Sequence, residues 1–195
     1  MRKLERSDLL TLEAYAVQRP QLRKGWLAHK RSRTLHLGPH FTLLFEDRVT
    51  VQAQVQEMLR IERIFEAAGI QDELDAYNPL VPDGRNLKAT LLIEYADAHE
   101  RAIELARLQG IERTFHAQVD GHGRATTHAD EDLDRSDADK TSAVHFLRFE
   151  FEPEAIAALR TGAALAFAVD DARMPLQVEA SPELRASLLA DFDSH

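Results

Sequence analysis

Cysteine is absent from the 195 residues. That excludes a disulfide scaffold, thiol catalysis, a zinc ribbon and any iron–sulfur cluster held by this chain alone. No apolar run approaches the roughly 18 residues that a membrane-crossing helix requires. The opening Met1-Arg2-Lys3-Leu4-Glu5-Arg6 leads into charge, so no signal peptide is visible and a soluble cytoplasmic protein is expected. Excess positive charge is also missing: 24 Lys+Arg against 33 Asp+Glu give a net charge of −9. A basic group does gather early, at Arg19, Arg23, Lys24, Lys30, Arg31 and Arg33. No aromatic residues interleave with it, so a solvated helix face is expected rather than a nucleic-acid surface.

What remains is ordinary globular material, 44% hydrophobic and 29% charged. Ser7 reads as the N-cap of a first helix, and Pro20 separates it from a second that carries Leu22, Trp26 and Leu27. Strand-like runs at 34–37 and 41–46 flank a Gly38-Pro39 turn. A helical pattern at 47–68 ends at Gly69, and a short helix at 71–76 precedes a loop with Pro79 and Pro82. A strand at 88–95, a helix at 99–109 and a pair of runs at 112–119 and 124–128 follow. Asp120-Gly121-His122-Gly123 between the last two is a hairpin signal. A loop rich in acid (Asp130, Glu131, Asp132, Asp134, Asp137, Asp139) reads as solvated and flexible. It is no EF-hand, because Arg135 and Thr141 stand where glycine and the terminal Glu are required. A strand at 141–151, a helix between Pro153 and Gly162, a hairpin around Asp170-Asp171 and a helix from Ser181 complete the chain. The expectation is a single α+β domain over 1–195 with a mixed, mostly antiparallel sheet and a long central helix. Residues 1–33 form its N-terminal helical segment, 34–180 its core and 181–195 a C-terminal helix.

Polar residues on dry faces mark candidate sites. At about 100° per residue, Glu62 falls about 20° from Val51, within the apolar arc of the 47–68 helix. A buried carboxylate there needs a proton, a partner or a cation. Glu57 and Arg60 lie toward the opposite side and complete the binding candidates on this helix. Strand alternation sets Phe41, Leu43 and Phe45 opposite His40, Thr42, Leu44 and Glu46. It sets Lys88, Thr90, Leu92 and Glu94 on one face of the next strand, and Val144, Phe146, Arg148 and Glu150 on one face of 144–151, with His145 on the other. His40, Glu46, Glu62, Glu94 and His145 include the ligand types of a first-row metal such as iron, manganese or zinc. Lys88 and Arg148 suit an anionic ligand. The competing expectation is a structural network, Arg148 pairing with Glu62 or Glu94 and a core histidine bonded to a carbonyl. No metal-binding spacing, nucleophile elbow or P-loop occurs.

Five segments carry a resemblance: Leu37-Gly38-Pro39-His40, Phe45-Glu46-Asp47-Arg48, Gln54-Val55-Gln56-Glu57-Met58-Leu59-Arg60-Ile61-Glu62, Asn78-Pro79-Leu80-Val81-Pro82-Asp83-Gly84 and Ser142-Ala143-Val144-His145-Phe146-Leu147-Arg148-Phe149. Over nearly its whole length the chain resembles the bacterial family called domain of unknown function 3501. Members of that family are commonly encoded beside rubrerythrin-like proteins and cluster-binding proteins related to heterodisulfide reductase subunits. The resemblance therefore implies a role near peroxide defence or iron-dependent electron transfer, as a non-catalytic partner of an iron–sulfur or rubrerythrin-like protein. A metal-dependent enzyme or metal-binding protein is the alternative. The resemblance supplies no catalytic residues.

Overall fold

The computed structural model describes residues 2–133, 135–136 and 140–193. Thr11 caps the first helix, its hydroxyl accepting from the Ala14 N–H at 3.2 Å. That helix, α1 (Leu12–Arg31), is continuous through Pro20 rather than two helices. A proline strands the carbonyl four residues earlier; Ala16 and Pro20 are both exposed, so water can take it. Ser7 caps nothing and sits instead in the 3-10 turn Arg6–Asp8.

The hairpin of β1 (Thr34–Leu37) and β2 (Phe41–Glu46) turns at Gly38, whose φ of 65° favours glycine. Asp47 and Thr50 then form a reciprocal cap, side chain to backbone in both directions at 2.8 and 2.9 Å. It starts α2 (Arg48–Glu62), which stops when Arg63 adopts a left-handed conformation. A separate helix, α3 (Ala67–Tyr77), contains Gly69 inside it. The expected 47–68 helix is thus two helices, and Gly69 ends neither.

The remaining elements are β3 (Asn86–Ile93), α4 (Ala98–Arg107), β4 (Phe115–Val119), β5 (Thr126–Ala129), β6 (Val144–Glu150), α5 (Pro153–Arg160), β7 (Leu165–Val169), β8 (Leu176–Glu179) and α6 (Pro182–Leu189). The class is α+β, with two sheets in place of one. The orders are β1-β2-β3-β6-β5 and β4-β7-β8, and every strand pairing is antiparallel. The Asp120–Gly123 turn does not close a two-stranded hairpin: β4 pairs with β7 and β5 with β6, so the chain changes sheets there. A lone bridge between Gln118 and Arg124 marks the crossing.

Two hydrophobic cores result. The larger lies between the inner sheet faces, where Phe167 meets Phe45 at 4.9 Å and Phe149 at 5.5 Å between ring centroids. The smaller gathers Leu4, Val51, Val55, Leu59, Leu74 and Val81 within the helical layer. Between that layer and the outer face of the five-stranded sheet runs a groove.

Candidate functional site

Register fixes the floor of the groove. Glu46 pairs with Lys88, Lys88 with Arg148, and Arg148 with His128, so these four residues form one row across four strands. The adjoining row is Leu44, Thr90 and Phe146. Alternation turns both rows away from the sandwich core. Tyr77 at the end of α3 and Pro79 and Leu80 just after it form a wall over them. Two adjoining cavities of about 330 and about 240 Å³ share Tyr77, Leu80 and Phe146. Placement between two packed units is usual for a ligand site.

The groove's charges are unequally partnered. Arg148 donates to both oxygens of Glu131 at 2.7 Å and to Glu150 at 2.7 Å. Those carboxylates hold its guanidinium above the ordinary arginine range. Arg135 donates to both oxygens of Asp132 at 2.7 Å and lies 4.4 Å over the Phe146 ring. Thr50 and Thr90 hydroxyls donate to Glu46 at 2.5 and 2.7 Å. Lys88 differs. Its ammonium donates to the Pro79 carbonyl oxygen, and it makes no ion pair among the described residues. Burial draws its pKa down, with Asp83 opposing and Arg148 adding to the fall.

The remaining sequence candidates scatter. Glu62 is exposed, which corrects its place on a dry arc. Leu59 is the last buried residue of α2; Ile61 and Phe65 beyond it are 59% and 68% exposed. The helix outlasts the surface it packs on, so the arc has nothing opposite Glu62. Arg148 accordingly pairs with neither Glu62 nor Glu94. The exposed Glu94 accepts from the Thr42 hydroxyl at 2.5 Å, and His40 stacks on Tyr95 at 4.0 Å. Glu57 accepts from the Tyr15 hydroxyl and from both Arg19 and Arg60. Arg19 holds the Glu57 carboxyl at about 2, helped by Tyr15 and Arg60, and burial together with Glu57 pushes the Tyr15 phenol up to about 12. Glu57 thus fastens α2 to α1, with Arg60 bracing it from its own helix, and neither residue lines the groove. Among the described residues, no three His, Asp or Glu side chains are grouped to hold a metal ion.

His145 does face the core, fully buried. Its Nδ1 lies 2.6 Å from Asp130 Oδ2, and its Nε2 lies 2.9 Å from Thr141 Oγ1 and 3.0 Å from the Ser142 carbonyl oxygen. Thr141 in turn donates to Glu112 at 3.1 Å. Carboxylate, imidazole and hydroxyl follow in the order of a hydrolytic triad, yet Thr141 is 1% exposed and neither it nor His145 lines the groove. The arrangement is a fastening. Asp130, in a left-handed conformation with φ 51°, also accepts from the Phe146 N–H at 2.9 Å. So the start of the acidic loop is anchored rather than loose, and Glu131 and Asp132 become groove walls. Asp134, Asp137 and Asp139 lie outside the described residues.

Arg33 is likewise no part of a solvated face. It is 1% exposed, donates to the Phe45 and Glu46 carbonyls and pairs with the buried Asp191. Asp130, Glu131, Arg135, Tyr77 and Asp191 escaped sequence reasoning. For the groove residues among them the nearest signal was Lys88 and Arg148 on outward strand faces; Asp191, beside Arg33, had none.

A family model described as "Protein of unknown function (DUF3501)" matches residues 3–192. A crystal structure of a protein of unknown function from Burkholderia pseudomallei is similar at 50% identity with a TM-score of 0.93, covering 98% of this chain and 100% of that one. The comparison with curated proteins gave no match. Among the described residues no helix is long and apolar enough to cross a membrane.

Proposed function

The chain belongs to the DUF3501 family, and from that premise we propose that it is a non-catalytic accessory protein of a cytoplasmic iron–sulfur or rubrerythrin-type redox system, with the groove as its recognition site. The observation that carries a binding role is the charged row Glu46, Lys88 and Arg148 beside Phe146, open to a groove between two cores. The acid–imidazole–hydroxyl chain is shut away from that groove, which favours recognition over catalysis. Lack of cysteine fits a protein whose partner brings the cluster. The −9 charge suits docking to a basic surface by long-range attraction.

Direct binding tests it. The purified chain is titrated with a purified rubrerythrin-like protein and a purified cluster-binding protein related to heterodisulfide reductase subunits, in about 50 mM and about 500 mM salt. Binding that weakens at the higher salt supports the reading; no binding at the lower salt to either protein overturns it. The metal-dependent alternative finds no grouped donors among the described residues. Elemental analysis after reconstitution with iron, manganese and zinc checks it, and the expected retention is substoichiometric.

A further inference from the structure

Three cationic side chains line the larger cavity, Lys88, Arg135 and Arg148, against two carboxylates, Glu131 and Asp132. Glu150 and Asp130 serve Arg148 and Arg135 as further partners, so Lys88 is the lining cation with no direct carboxylate partner among the described residues. Both guanidinium forks are filled, Arg148 by Glu131 and Arg135 by Asp132. Both Glu131 oxygens are likewise bonded to Arg148, so that acid reaches Lys88 only through space, without a hydrogen bond. An ammonium carries three N–H donors, and that of Lys88 meets one acceptor, the Pro79 carbonyl oxygen. Its remaining two donors are therefore open to whatever occupies the groove.

Beside this cation the lining is apolar: Tyr77, Leu80, Phe146 and Leu147, continued by Leu44 and Val51 in the adjoining cavity. Such a lining, with one polar fixing point, suits a small amphipathic molecule. On the reading of the groove as a recognition site, we infer that it takes a single carboxylate carried on an aromatic or aliphatic body, with Lys88 as the counter-ion. A phosphate monoester fits less well. Its second negative charge would face Glu131 and Asp132, and no arginine fork is free to receive it.

The test uses the full chain with 4-phenylbutyrate, its neutral amide 4-phenylbutyramide, and inorganic phosphate, read by calorimetry and by amide chemical shifts. The carboxylate is expected to saturate, to move the amides of Lys88, Phe146 and Tyr77, and to bind at least about tenfold more tightly than the neutral amide. Lys88→Met keeps most of the apolar stem and is expected to erase that tenfold difference. The comparison of carboxylate with amide on the unaltered chain stands even if the variant folds poorly. Equal affinity for both probes, or phosphate binding as tightly as the carboxylate, overturns the carboxylate assignment while leaving a groove that binds. Shifts confined to other surfaces, or none with any probe, overturn the groove reading as well.

Discussion

The two cores of this protein are held by different means. Between the sheets, aromatic rings interlock, Phe45, Phe149 and Phe167 among them, and the strands satisfy one another's backbone groups. In the helical layer the apolar cluster is small, and side-chain amides stitch the N-terminal segment to it. Gln56 donates to and accepts from the backbone of Leu10, and Asn78 does the same for Leu4. Gln52 donates to the Asp8 carbonyl. A layer with a smaller apolar cluster opens at lower cost than a packed sandwich. The groove lies along the seam, with a stiff floor and a more yielding wall. That division suits recognition: the row of charges keeps its register while Tyr77 and Leu80 adjust.

The largest expected effect lies in the sandwich. Phe149→Ala removes a fully buried ring from the Phe167 contact and is expected to cost about 3–5 kcal/mol in urea unfolding. A loss below about 1 kcal/mol would mean that the sheets do not carry the stability assigned to them.

Next comes a pH dependence seated at the edge of the same core. Burial raises the Asp191 carboxyl to about 7, against the opposing pull of Arg33 and with Asp47 adding to the rise. Its Oδ1 is buried without a partner among the described residues. An unfolded aspartate ionises near about 3.9. Between these values the native state holds a proton that the unfolded state has released, so stability from this group falls as pH rises from about 4 to about 7. The slope is at most about 1.4 kcal/mol per pH unit. Asp191→Asn is expected to remove that slope, read as the difference between the two proteins' urea midpoints across the window. An unchanged difference at every pH would place the titration elsewhere.

The helical layer is tested by Gln56→Ala, which strands the Leu10 N–H and carbonyl and is expected to cost about 1–3 kcal/mol. Hydrogen exchange should quicken in α1 and α2 and stay unchanged in β3 and β6. Equal acceleration in the sheet would make the two cores one cooperative unit.

How much of this was legible depends on whether the signal was local. Strand alternation is a property of neighbouring residues, so the outward row of Glu46, Lys88 and Arg148 and the inward His145 could be read directly. The helix wheel read correctly at Val51. It failed at Glu62 because a wheel records angle and knows nothing of how far the opposing surface extends. Asp120–Gly123 has hairpin chemistry, but the turn does not choose the partner, and the sheets took β4 and β5 apart. Arg135 and Glu131 reach the groove only because Asp130 is pinned to β6 by His145 and Phe146. That pinning is a contact across the fold, and no spacing in the acidic loop announces it.

The smallest effect sharpens the contrast between the layers through its opposite sign. Glu57 joins α2 to α1 through Arg19 and Tyr15, and Arg19 above all holds its carboxyl near 2. An unfolded glutamate ionises near about 4.3. Above that pH the native state gains from the ionised group, and the gain is lost as pH falls toward about 2. The Glu57 and Arg19 side chains are 25% and 34% exposed, and solvent screening keeps the contribution within about 1 kcal/mol. Glu57→Gln is therefore expected to lower the urea midpoint slightly at pH 7, with the difference shrinking below about pH 4 and closing toward about pH 2. Hydrogen exchange should place the change in α1 and α2, since the pair ties those helices together and touches no strand. A midpoint difference that grows on acidification would reverse the sign and remove Glu57 as a fastening of the helical layer.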